Sequence, residues 1–563
     1  MQDAQQSASM QKNFTRSVGG EQAFVRVPNG RRALVLGCGA SGAAAARFLH
    51  RRGWQVSVAD TRETPPAAAA LKSEGIAFAG GGLSADMVSE DLDLLVMSPG
   101  LSPEHSAAAP LVARAKSLHI DIAGEIELFA RELKRLAAFR HYRPLIIAIT
   151  GTNGKTTTTT IVGKMAAACG KSVCVAGNIG PNAVAELDRL LTANELPEVW
   201  VLELSSFQLE TTVSLTCDAA AFLNLTEDHV DWHGSMEAYA AAKGRIFSVS
   251  TKRVLNADDP VVMQCAEGVD PALVEVFSDA DPKEGPFENW GIAKDAGLEW
   301  LAYMPRTPAA ATKIERLAAE PVEKTLLMPV DALLIRGRHN AMNALAALAL
   351  VKSAGLPLGP ALEALKSYKG EPHRVQPVLA IEGIEFIDDS KGTNVGATIA
   401  ALEGLGKSGK KSSIILGGDG KGQNFAPLGE SLARWAVHAV LIGRDAPKIR
   451  EALEAAHVAY EEAGVDFEAA VDAAWRAARE AKSAGDDVVV LLSPACASWD
   501  MFSNYAERSA RFVARAQKIA GDVAQSADGN KAQAEEAVEK SAETTEPEPE
   551  ANDAGAQPPQ GAS

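Results

Sequence analysis

PLIIAITGTNGKTT, residues 144–157, joins an apolar run to a glycine-rich turn that carries a lysine and two hydroxyls. The apolar half predicts a buried strand, because it is rich in β-branched residues. Gly151 and Gly154 let the turn curl with its N–H groups inward, and a helix that begins at Thr156 points its positive end at the same place. Lys155 would bind the outer phosphates of a nucleotide, and Thr156 would bind magnesium. The stretch therefore predicts a site for a nucleoside triphosphate.

The spacing of this turn, GxxGK[ST], is shorter than the full phosphate loop, GxxxxGK[ST]. An ordinary glycine turn is therefore the alternative interpretation. The flanking sequence favours the phosphate loop, because a predicted strand precedes it and a predicted helix from Thr156 to Cys169, ended by Gly170, follows it.

Length and charge limit the class of protein. The 563 residues are too many for one core and predict about three domains, and the net charge of −17 argues against a nucleic-acid-binding surface. Residues 522–563 hold ten acidic residues and two lysines, with too little apolar content for a core, so we expect a disordered acidic tail without a catalytic role. Residues 1–30 are predicted to be a flexible leader.

The sequence indicates neither a membrane span nor a disulfide or zinc framework. No apolar run approaches the ~18 residues of a transmembrane helix, and the first residues lack the pattern of a signal peptide. The cysteines contain no CxxC pair, which favours small buried thiols. We expect a soluble, cytoplasmic protein.

A second glycine-rich turn defines the first predicted domain, residues 31–135. Gly37–Gly42 has the form GxGxxG, lies between a short strand and a helix, and is followed by a strand that ends at Asp60. This is the dinucleotide-binding βαβ pattern, whose usual ligand is NAD or FAD. Because a separate phosphate loop follows at residue 151, a nucleotide-linked substrate is the more natural ligand. The turn Ser98–Gly100 ends another strand and is predicted either to bind the ligand or to be an ordinary turn.

Polar residues at strand ends mark the central predicted domain, residues 136–370, whose apolar strands suit a mostly parallel sheet. Glu203 lies in an otherwise apolar strand, where a carboxylate is costly unless it is paired, and a magnesium ligand is favoured over a salt bridge. In the polar stretch 224–233, His229 is predicted to be a metal ligand, and Asp228 is a weaker candidate beside it.

Three other features of the central domain are more ambiguous. Lys243, on a predicted helix over 236–249, is by itself typical of a surface residue. Asn340 and Asn343 lie three apart on one helix face and suit an adenine edge, with helix capping by Asn340 as the alternative. Residues 281–327 suggest a strand pair and a surface insertion, with no assigned function.

The third predicted domain, residues 371–521, follows a hinge at residues 370–372. Three of its predicted strands end in polar, glycine-containing or hydroxyl-rich loops, at residues 388–394, 417–421 and 493–500. Because the carboxyl ends of parallel strands meet at one edge of a sheet, these loops are expected to converge. Their lysines, hydroxyls and small residues suit a small anion, such as the carboxylates of an amino acid, better than covalent catalysis.

These motifs together resemble the ATP-dependent Mur ligases of peptidoglycan synthesis, over about residues 31–520. ITGTNGKTT is typical of every member, whereas ELSSFQLE, DSKGTNVGAT, LGGDGK and SPACASWDMF are similar to the members that add D-glutamate. The resemblance implies an α/β fold with a Rossmann-like N-terminal domain, a central P-loop-type ATPase domain and a Rossmann-like C-terminal domain.

The resemblance also implies roles for individual residues. A UDP-linked sugar would be held by Gly39, Ala40, Ser41, Asp60, Thr61, Arg62, Ser98, Pro99, Gly100 and Asn178. ATP would be held by Gly151, Thr152, Asn153, Gly154, Lys155, Thr156, Thr157, Asn340, Asn343, Arg374 and Asp389. D-glutamate would contact Thr393, Lys421, Ser498, Trp499 and Tyr505. Trp499 and Tyr505 stand where the family pattern has leucine and phenylalanine, which leaves the wall of that pocket open.

The implied chemistry needs ATP and two magnesium ions. One ion would bind Thr156 and Glu203, and the second would bind His229 and Lys243, the lysine after carbamylation by carbon dioxide. With Lys155, Glu203, His229 and Lys243 as the catalytic set, the chain would add D-glutamate to UDP-N-acetylmuramoyl-L-alanine through an acyl phosphate. We expect a monomer whose partners are these small molecules, with no nucleic acid and no membrane span. A folylpolyglutamate-synthase-like ligase and a non-enzymatic nucleotide-gated binding module are the alternatives.

Overall fold

The structure is a computed structural model, and it describes residues 30–307, 322–335 and 337–543. The predicted leader, up to residue 29, and residues 544–563 of the predicted tail lie outside the described residues. The chain divides into two compact units, one up to Lys369 and one from Gly370.

The first unit begins with a parallel sheet in the order β3-β2-β1-β4-β5. Its strands are β1 (Arg32–Leu36), β2 (Gln55–Ala59), β3 (Ala77–Ala79), β4 (Leu94–Met97) and β5 (Asp121–Gly124). Its helices are α1 (Ala40–Arg51), α2 (Ala68–Ser73), α3 (Ala109–Ser117) and α4 (Glu125–Arg140). The strand order reverses between β1 and β4, which is where open sheets of this kind form a ligand crevice. The predicted Rossmann-like arrangement is therefore consistent with the structure.

The first unit continues with a sheet in the order β14-β13-β12-β11-β10-β9-β6-β8-β7. Its strands are β6 (Leu145–Thr150), β7 (Val173–Gly177), β8 (Val199–Glu203), β9 (Ala219–Phe222), β10 (Lys252–Asn256), β11 (Val274–Phe277), β12 (Glu288–Asp295), β13 (Leu298–Met304) and β14 (Thr325–Pro329). Its helices are α5 (Lys155–Ala168), α6 (Ala183–Ala193), α7 (Ser206–Glu210), α8 (Val230–His233), α9 (Met236–Gly244), α10 (Pro260–Met263), α11 (Arg338–Ser353) and α12 (Leu358–Lys366).

The central strands of this sheet are apolar because helices cover both faces. Every residue of β8 is buried, and β6 is buried from Ile146 onward. Burying each Val, Leu or Ile of this kind stabilises the fold by about 1.5–3 kcal/mol. The pairing is parallel from β7 to β12, and β12, β13 and β14 pair antiparallel. The strand pair predicted within residues 281–327 is confirmed, and residues 308–321 of that segment lie outside the described residues.

The second unit has a sheet in the order β15-β16-β20-β17-β18-β19, parallel except for the pair β15 and β16. Its strands are β15 (Gln376–Ile381), β16 (Ile384–Asp388), β17 (Lys411–Gly417), β18 (Ala436–Ile442), β19 (Tyr460–Gly464) and β20 (Val488–Leu492). Its helices are α13 (Val395–Lys407), α14 (Ala426–Trp435), α15 (Ala446–Ala455), α16 (Phe467–Ser483) and α17 (Tyr505–Glu543).

The structure corrects two predicted boundaries. Helix α17 continues to Glu543, whereas the sequence predicted disorder from residue 522. The alanine, glutamate and lysine content that is too polar for a core is also favourable for a helix, which explains the extension. Helix α9 ends at Gly244 rather than Val249, where glycine is a poor helix former and Ile246 enters the core. In the part of the chain that the structure describes, no helix is long and apolar enough to cross a membrane.

Candidate active site

The Gly37–Gly42 turn opens into a cavity of about 380 Å³ at the carboxyl ends of β1, β2 and β4. The cavity is lined by Gly37, Gly39, Ala40, Ser41, Asp60, Thr61, Arg62, Ser98, Pro99, Gly100 and Leu101. All the residues predicted to hold the UDP-linked sugar therefore come together here, apart from Asn178. Gly42 closes the turn, because a Cβ atom there would lie 1.9 Å from the Gly37 carbonyl oxygen.

Asp60 holds this turn in place from the end of β2. Its carboxylate accepts hydrogen bonds from the Cys38 backbone N–H at 2.6 Å and from the Arg62 backbone N–H at 2.8 Å. The Arg62 guanidinium donates to both carboxylate oxygens at 2.9 Å. The hydrogen bond from the Arg62 side chain, together with those from the backbone, lowers the pKa of Asp60 to about 2 despite its burial. Asp60 is thus charged and its oxygens are engaged before any ligand binds.

Asn178 lies beside Glu203, in the loop between β7 and α6. Its side-chain amide donates to Glu203 Oε1 at 2.6 Å, and its backbone N–H donates to the Glu203 carbonyl at 2.8 Å. Glu203 is buried, and its second oxygen, Oε2, has no hydrogen-bond partner among the described residues. An orphaned buried carboxylate oxygen is costly unless something binds it. The structure therefore leaves one oxygen of the predicted magnesium ligand available.

The side-chain nitrogens of two lysines bond to the same carbonyl of the phosphate loop. Lys155 Nζ donates to the Gly151 and Thr152 carbonyls, both at 2.8 Å, and Lys243 Nζ also donates to the Gly151 carbonyl at 2.8 Å. Thr156, in the first turn of α5, is buried at the same place. The loop backbone is anchored by the Asn224 side chain, which accepts from the Asn153 backbone N–H at 2.8 Å.

Lys243 is buried, although its alanine-rich helix suggested a surface position. Its burial, together with the positive charge of Lys155, lowers the pKa of the Lys243 amine well below its usual value, against the opposing charges of Asp228 and Glu203. An uncharged amine is the form that can react with carbon dioxide. Lys155 and Lys243 both donate to the Gly151 carbonyl and are therefore neighbours, and the Asp228 and Glu203 carboxylates lie close enough to act on Lys243.

His229 lies on the rim of this cluster. Its ring is 3.4 Å from the Asp228 carboxylate, measured from Nε2 to Oδ2, and packs edge-on against Phe207 at 4.6 Å between centroids. Its backbone has a φ of +57° at the start of α8, a left-handed conformation in which histidine, asparagine and aspartate are the most frequent residues after glycine. Asp228 is buried, so it orients the imidazole rather than facing solvent.

The predicted metal ligands can be tested against these contacts. No group of three or more His, Cys, Asp or Glu side chains that could hold a metal ion lies within residues 30–307, 322–335 and 337–543. The predicted set contains only two residues of those types, so it depends on the hydroxyl of Thr156 and on a carbamate at Lys243. The orphaned Glu203 oxygen and the buried amine of lowered pKa fit a magnesium site of this composition.

The two predicted adenine-binding asparagines lie at the start of α11, against α5. The Asn343 amide donates to Asn340 Oδ1 at 3.3 Å. Gly154 has a φ of +82°, and a Cβ atom there would lie 2.3 Å from Asn343 Oδ1. The phosphate loop therefore passes directly over Asn343, and the predicted pair reaches the loop.

The three loops of the second unit converge, as predicted from their positions after β16, β17 and β20. The Gly417 N–H donates to the Pro494 carbonyl at 2.8 Å, and the Ala495 N–H donates to the Gly392 carbonyl at 3.0 Å. Asp419 and Ala497 exchange both backbone hydrogen bonds, at 2.9 and 2.8 Å. These bonds tie the loops into one surface at the carboxyl edge of the sheet.

Asp389 and Arg374, the predicted ATP contacts of the second unit, lie close to each other. The Asp389 carboxylate accepts from Ser493 Oγ at 2.6 Å and from the Val375 N–H at 3.2 Å. Its burial raises its pKa to about 7, against the opposing effects of Ser493 and Arg374. Arg374 Nε is buried and has no hydrogen-bond partner among the residues described, which is expected of a group that awaits a ligand.

The predicted D-glutamate contacts lie at the same edge. Thr393 and Lys421 are in the first two loops, and Ser498 is buried in the third. Tyr505 begins α17, with the Lys391 ammonium 5.3 Å from its ring centroid. Trp499 is 71% exposed, so it packs against little of its own chain.

Sequence reasoning missed two buried residues that support these sites. Tyr239 lies four residues before Lys243 on α9, and its hydroxyl is 3.2 Å from Thr152 Oγ1. The i, i+4 spacing was the available signal. Arg508 is fully buried on α17 and donates to the Ser390 carbonyl at 2.7 Å and to the Cys496 carbonyl at 3.1 Å. Nothing in the local sequence distinguishes it from a surface arginine.

Comparison with known proteins places these sites in a family. The chain matches the Mur ligase MurD-like N-terminal domain over residues 31–124, the Mur ligase middle domain over 149–351, and the Mur ligase glutamate ligase domain over 373–496. It is 48% identical to the UDP-N-acetylmuramoylalanine–D-glutamate ligase of Burkholderia mallei (strain SAVP1), over 86% of this chain and 97% of that protein. The chain belongs to the Mur ligase family.

Other relatives extend the comparison for this Mur ligase. The UDP-N-acetylmuramoylalanine–D-glutamate ligase of Burkholderia ambifaria (strain MC40-6) is 47% identical, over 87% of this chain and 97% of that protein. Among solved structures, MurF from Acinetobacter baumannii is 17% identical and superposes with a TM-score of 0.50, over 88% of this chain and 92% of that chain. That structure supports the fold alone.

Proposed function

We propose that this Mur ligase uses ATP to join D-glutamate to UDP-N-acetylmuramoyl-L-alanine, in the cytoplasm and as a monomer. The observation that carries the proposal is the pairing, in one compact unit, of two chemically different nucleotide sites. One is an acid-held cavity around Asp60 and Arg62, and the other is a phosphate loop with two lysines. The naming of relatives 47–48% identical over nearly their full length supports the same substrates.

The cavity and the phosphate loop would hold opposite ends of the reaction. The residues around Asp60 would bind the UDP end of the substrate, with Arg62 at the mouth of the cavity. Lys155 would exchange the Gly151 and Thr152 carbonyls for the outer phosphates of ATP, since its ammonium already lies over the loop. There it would stabilise the charge that develops as the γ-phosphoryl group moves to the alanine carboxylate.

Magnesium would complete the phosphate site. Thr156 and Glu203 would hold one ion, and His229 with Lys243, carbamylated on its buried amine, would hold a second. Bound there, the ions would neutralise the charge of the phosphates. Carbamylation joins the amine nitrogen to the carbon of carbon dioxide and releases a proton, which turns a lysine into a carboxylate ligand.

The second unit would supply the amino acid. Lys421, Thr393 and Ser498 would hold the D-glutamate carboxylates at the edge where the three loops converge. The D-glutamate amine would attack the carbonyl carbon of the acyl phosphate, form the amide and displace phosphate. The proton of the amine would pass to solvent or to a base.

The test is release of ADP and phosphate by the purified protein with UDP-N-acetylmuramoyl-L-alanine, ATP and magnesium. D-glutamate is expected to support turnover, and L-glutamate and other amino acids are expected to give at most a small fraction of that rate. Turnover with a folate substrate and L-glutamate would favour the folylpolyglutamate-type ligase instead. Nucleotide binding without ADP release under every condition would favour a binding module.

A further inference from the structure

Glu125 is a buried carboxyl group at the boundary between the two sheets of the first unit. It follows β5 directly and begins α4, and its side chain is 2% exposed. Oε1 accepts from the Ala183 backbone N–H at 3.2 Å, while Oε2 has no hydrogen-bond partner among the described residues. A buried, half-satisfied carboxyl is costly, and the mechanism above does not use it.

The groups around Glu125 belong to the starts of two other helices. Ser41, in the first turn of α1, and Asn182, the residue that caps α6, both lie beside the carboxyl. Asn182 also donates to Ser41 Oγ in a long hydrogen bond of 3.4 Å. Negative charge is stabilised at helix N-termini, so the carboxyl suits a place where α1, α4 and α6 begin. Burial raises the pKa of Glu125, against the opposing effects of Ser41, Ala183 and Asn182.

Each of these two helix starts leads to a different part of the candidate active site. Ser41 lines the cavity proposed for the UDP end of the substrate. Asn182 ends a short loop whose other end, Asn178, donates twice to Glu203. Within that loop the Gly177 N–H donates to the Pro181 carbonyl at 2.9 Å, so the loop is compact and its two ends are held to each other. Glu125 therefore joins the wall of the cavity to the loop that touches Glu203.

We propose that Glu125 is a positioning residue for the nucleotide-linked substrate, which sets the cavity wall at Ser41 against the loop at residues 178–182. The inference rests on the proposed function, because it assigns the UDP end of the substrate to this cavity. Glu125 touches no reacting atom. Its effect is expected in the binding of the UDP-linked substrate and not in the binding of ATP.

Glu127 offers a matched control on the same helix. It is as buried as Glu125, and its carboxylate accepts from the Val213 and Ser214 backbone N–H groups at 2.9 and 2.8 Å, away from the cavity. Glu127 also accepts from the Arg131 guanidinium at 2.7 Å, so Glu127→Ala should lower thermal stability at least as much as Glu125→Ala. Only Glu125→Ala should raise the KM for UDP-N-acetylmuramoyl-L-alanine, by about tenfold, with the KM for ATP changed less than twofold. Glu125→Gln keeps an oxygen for the Ala183 N–H and should recover most of this loss.

A second pair of variants serves if Glu125→Ala does not fold. Asn182→Ser keeps a side-chain oxygen to cap α6 but is too short to reach Ser41, and Ser41→Ala removes the other partner. Asn182→Ser should raise the KM for the UDP-linked substrate about threefold. Ser41 also lines the cavity, so Ser41→Ala should raise the KM more, and the double variant should be little worse than Ser41→Ala, because that variant already lacks the contact with Asn182. Fully additive effects would overturn the inference.

Two readouts separate this inference from the proposed function. If the unmodified protein ligates D-glutamate but Glu125→Ala and Glu127→Ala change the two KM values alike, Glu125 is only structural and the inference fails alone. If the unmodified protein does not ligate, the proposed function fails. Calorimetry with UDP then tests the role of Glu125 by itself. A dissociation constant for UDP that is about tenfold larger in Glu125→Ala, and unchanged in Glu127→Ala, supports the role. Equal dissociation constants in the unmodified protein and both variants refute it.

Discussion

The two glycine-rich turns of the first unit share a strand–turn–helix plan but are held by opposite chemistry. The Gly37–Gly42 turn is held by a carboxylate, since Asp60 accepts from the Cys38 N–H and is paired with Arg62. The phosphate loop is held by amines, since Lys155 and Lys243 both donate to the Gly151 carbonyl.

The difference concerns what each turn can give to a ligand. Asp60 is already paired with Arg62, so the Gly37–Gly42 turn is held in one conformation without a ligand. The Arg62 guanidinium lies at the entrance of the cavity. At Gly151 two amines occupy backbone carbonyls that are weaker partners than phosphate oxygens. A triphosphate can therefore replace the carbonyls as the partner of Lys155. The Gly37–Gly42 turn therefore has its charged groups paired within the chain, whereas the phosphate loop has amines bonded to backbone carbonyls.

The largest effect should come from removing the amine that faces the phosphates. Lys155→Ala is expected to lower kcat by about 10³-fold or more, because the transition state loses its charge stabilisation. Lys164, an exposed lysine farther along α5, supplies the control, and Lys164→Ala should keep normal turnover. ADP release with all substrates present measures both. Near-normal ADP release by Lys155→Ala would contradict a role for Lys155 in stabilising the transition state, and with it the chemical difference between the two turns.

The second amine should be replaceable from solution. Lys243→Ala is expected to lower kcat by about 10²-fold, and a short-chain carboxylic acid should restore part of the rate by supplying the oxygens of the missing carbamate. Initial rates over a series of acid concentrations test this, and Lys155→Ala should show no rescue. Full activity of Lys243→Ala without acid would exclude a role as a metal ligand.

Substitutions in the Gly37–Gly42 turn and at Asp60 should change the binding of the UDP-linked substrate. Asp60→Asn removes the ion pair with Arg62 and is expected to raise the KM for the UDP-linked substrate about tenfold, or about 1.4 kcal/mol, with the KM for ATP unchanged. An equal change in both KM values would show that the two turns are not independent.

The same variant has a signature in the dependence of stability on pH. Since the pKa of Asp60 is lowered from 3.8 to about 2, its contribution of at most about 2 kcal/mol is present above pH 4 and is lost as the pH falls through about 2. Thermal unfolding of the protein and of Asp60→Asn should therefore differ near neutral pH and approach each other below pH 3. A difference that persisted unchanged at pH 2 would contradict the lowered pKa.

The smallest effect is expected at Ser98, whose hydroxyl donates to the Gly37 carbonyl at 3.2 Å across the cavity. Ser98→Ala should raise the KM for the UDP-linked substrate about two- to threefold, the equivalent of one modest hydrogen bond, and should leave kcat unchanged. Steady-state kinetics with the UDP-linked substrate varied measures both. A fall in kcat larger than the rise in KM would show that Ser98 acts in the chemical step and not in substrate binding.

Much of the fold and of the site was predictable because it follows from strand order. The end of a strand in a parallel sheet fixes the position of the loop that follows it. The convergence of the loops after β16, β17 and β20 is therefore predictable from strand order alone. The same argument placed Asp60 and Ser98 around one cavity, at the ends of β2 and β4.

What escaped prediction depends on contacts between segments far apart in the chain. The helix that carries Lys243 is rich in alanine, and its sequence does not reveal that this face packs against the phosphate loop. Nothing in the sequence around Glu125 points to its partners, because Asn182 and Ala183 come almost sixty residues later. Asn178 stays a predicted contact of the UDP-linked sugar by resemblance, and its hydrogen bonds to Glu203 could not be predicted from the sequence.

Arg508 has a consequence for the order in which the protein is made. Its guanidinium fastens the loops at Ser390 and Cys496, yet it follows both in the chain, on α17. On the ribosome β16 and β20, whose following loops it joins, emerge before Arg508 does. The loop edge of the second unit is therefore completed only once α17 has emerged, after the first unit has had time to fold.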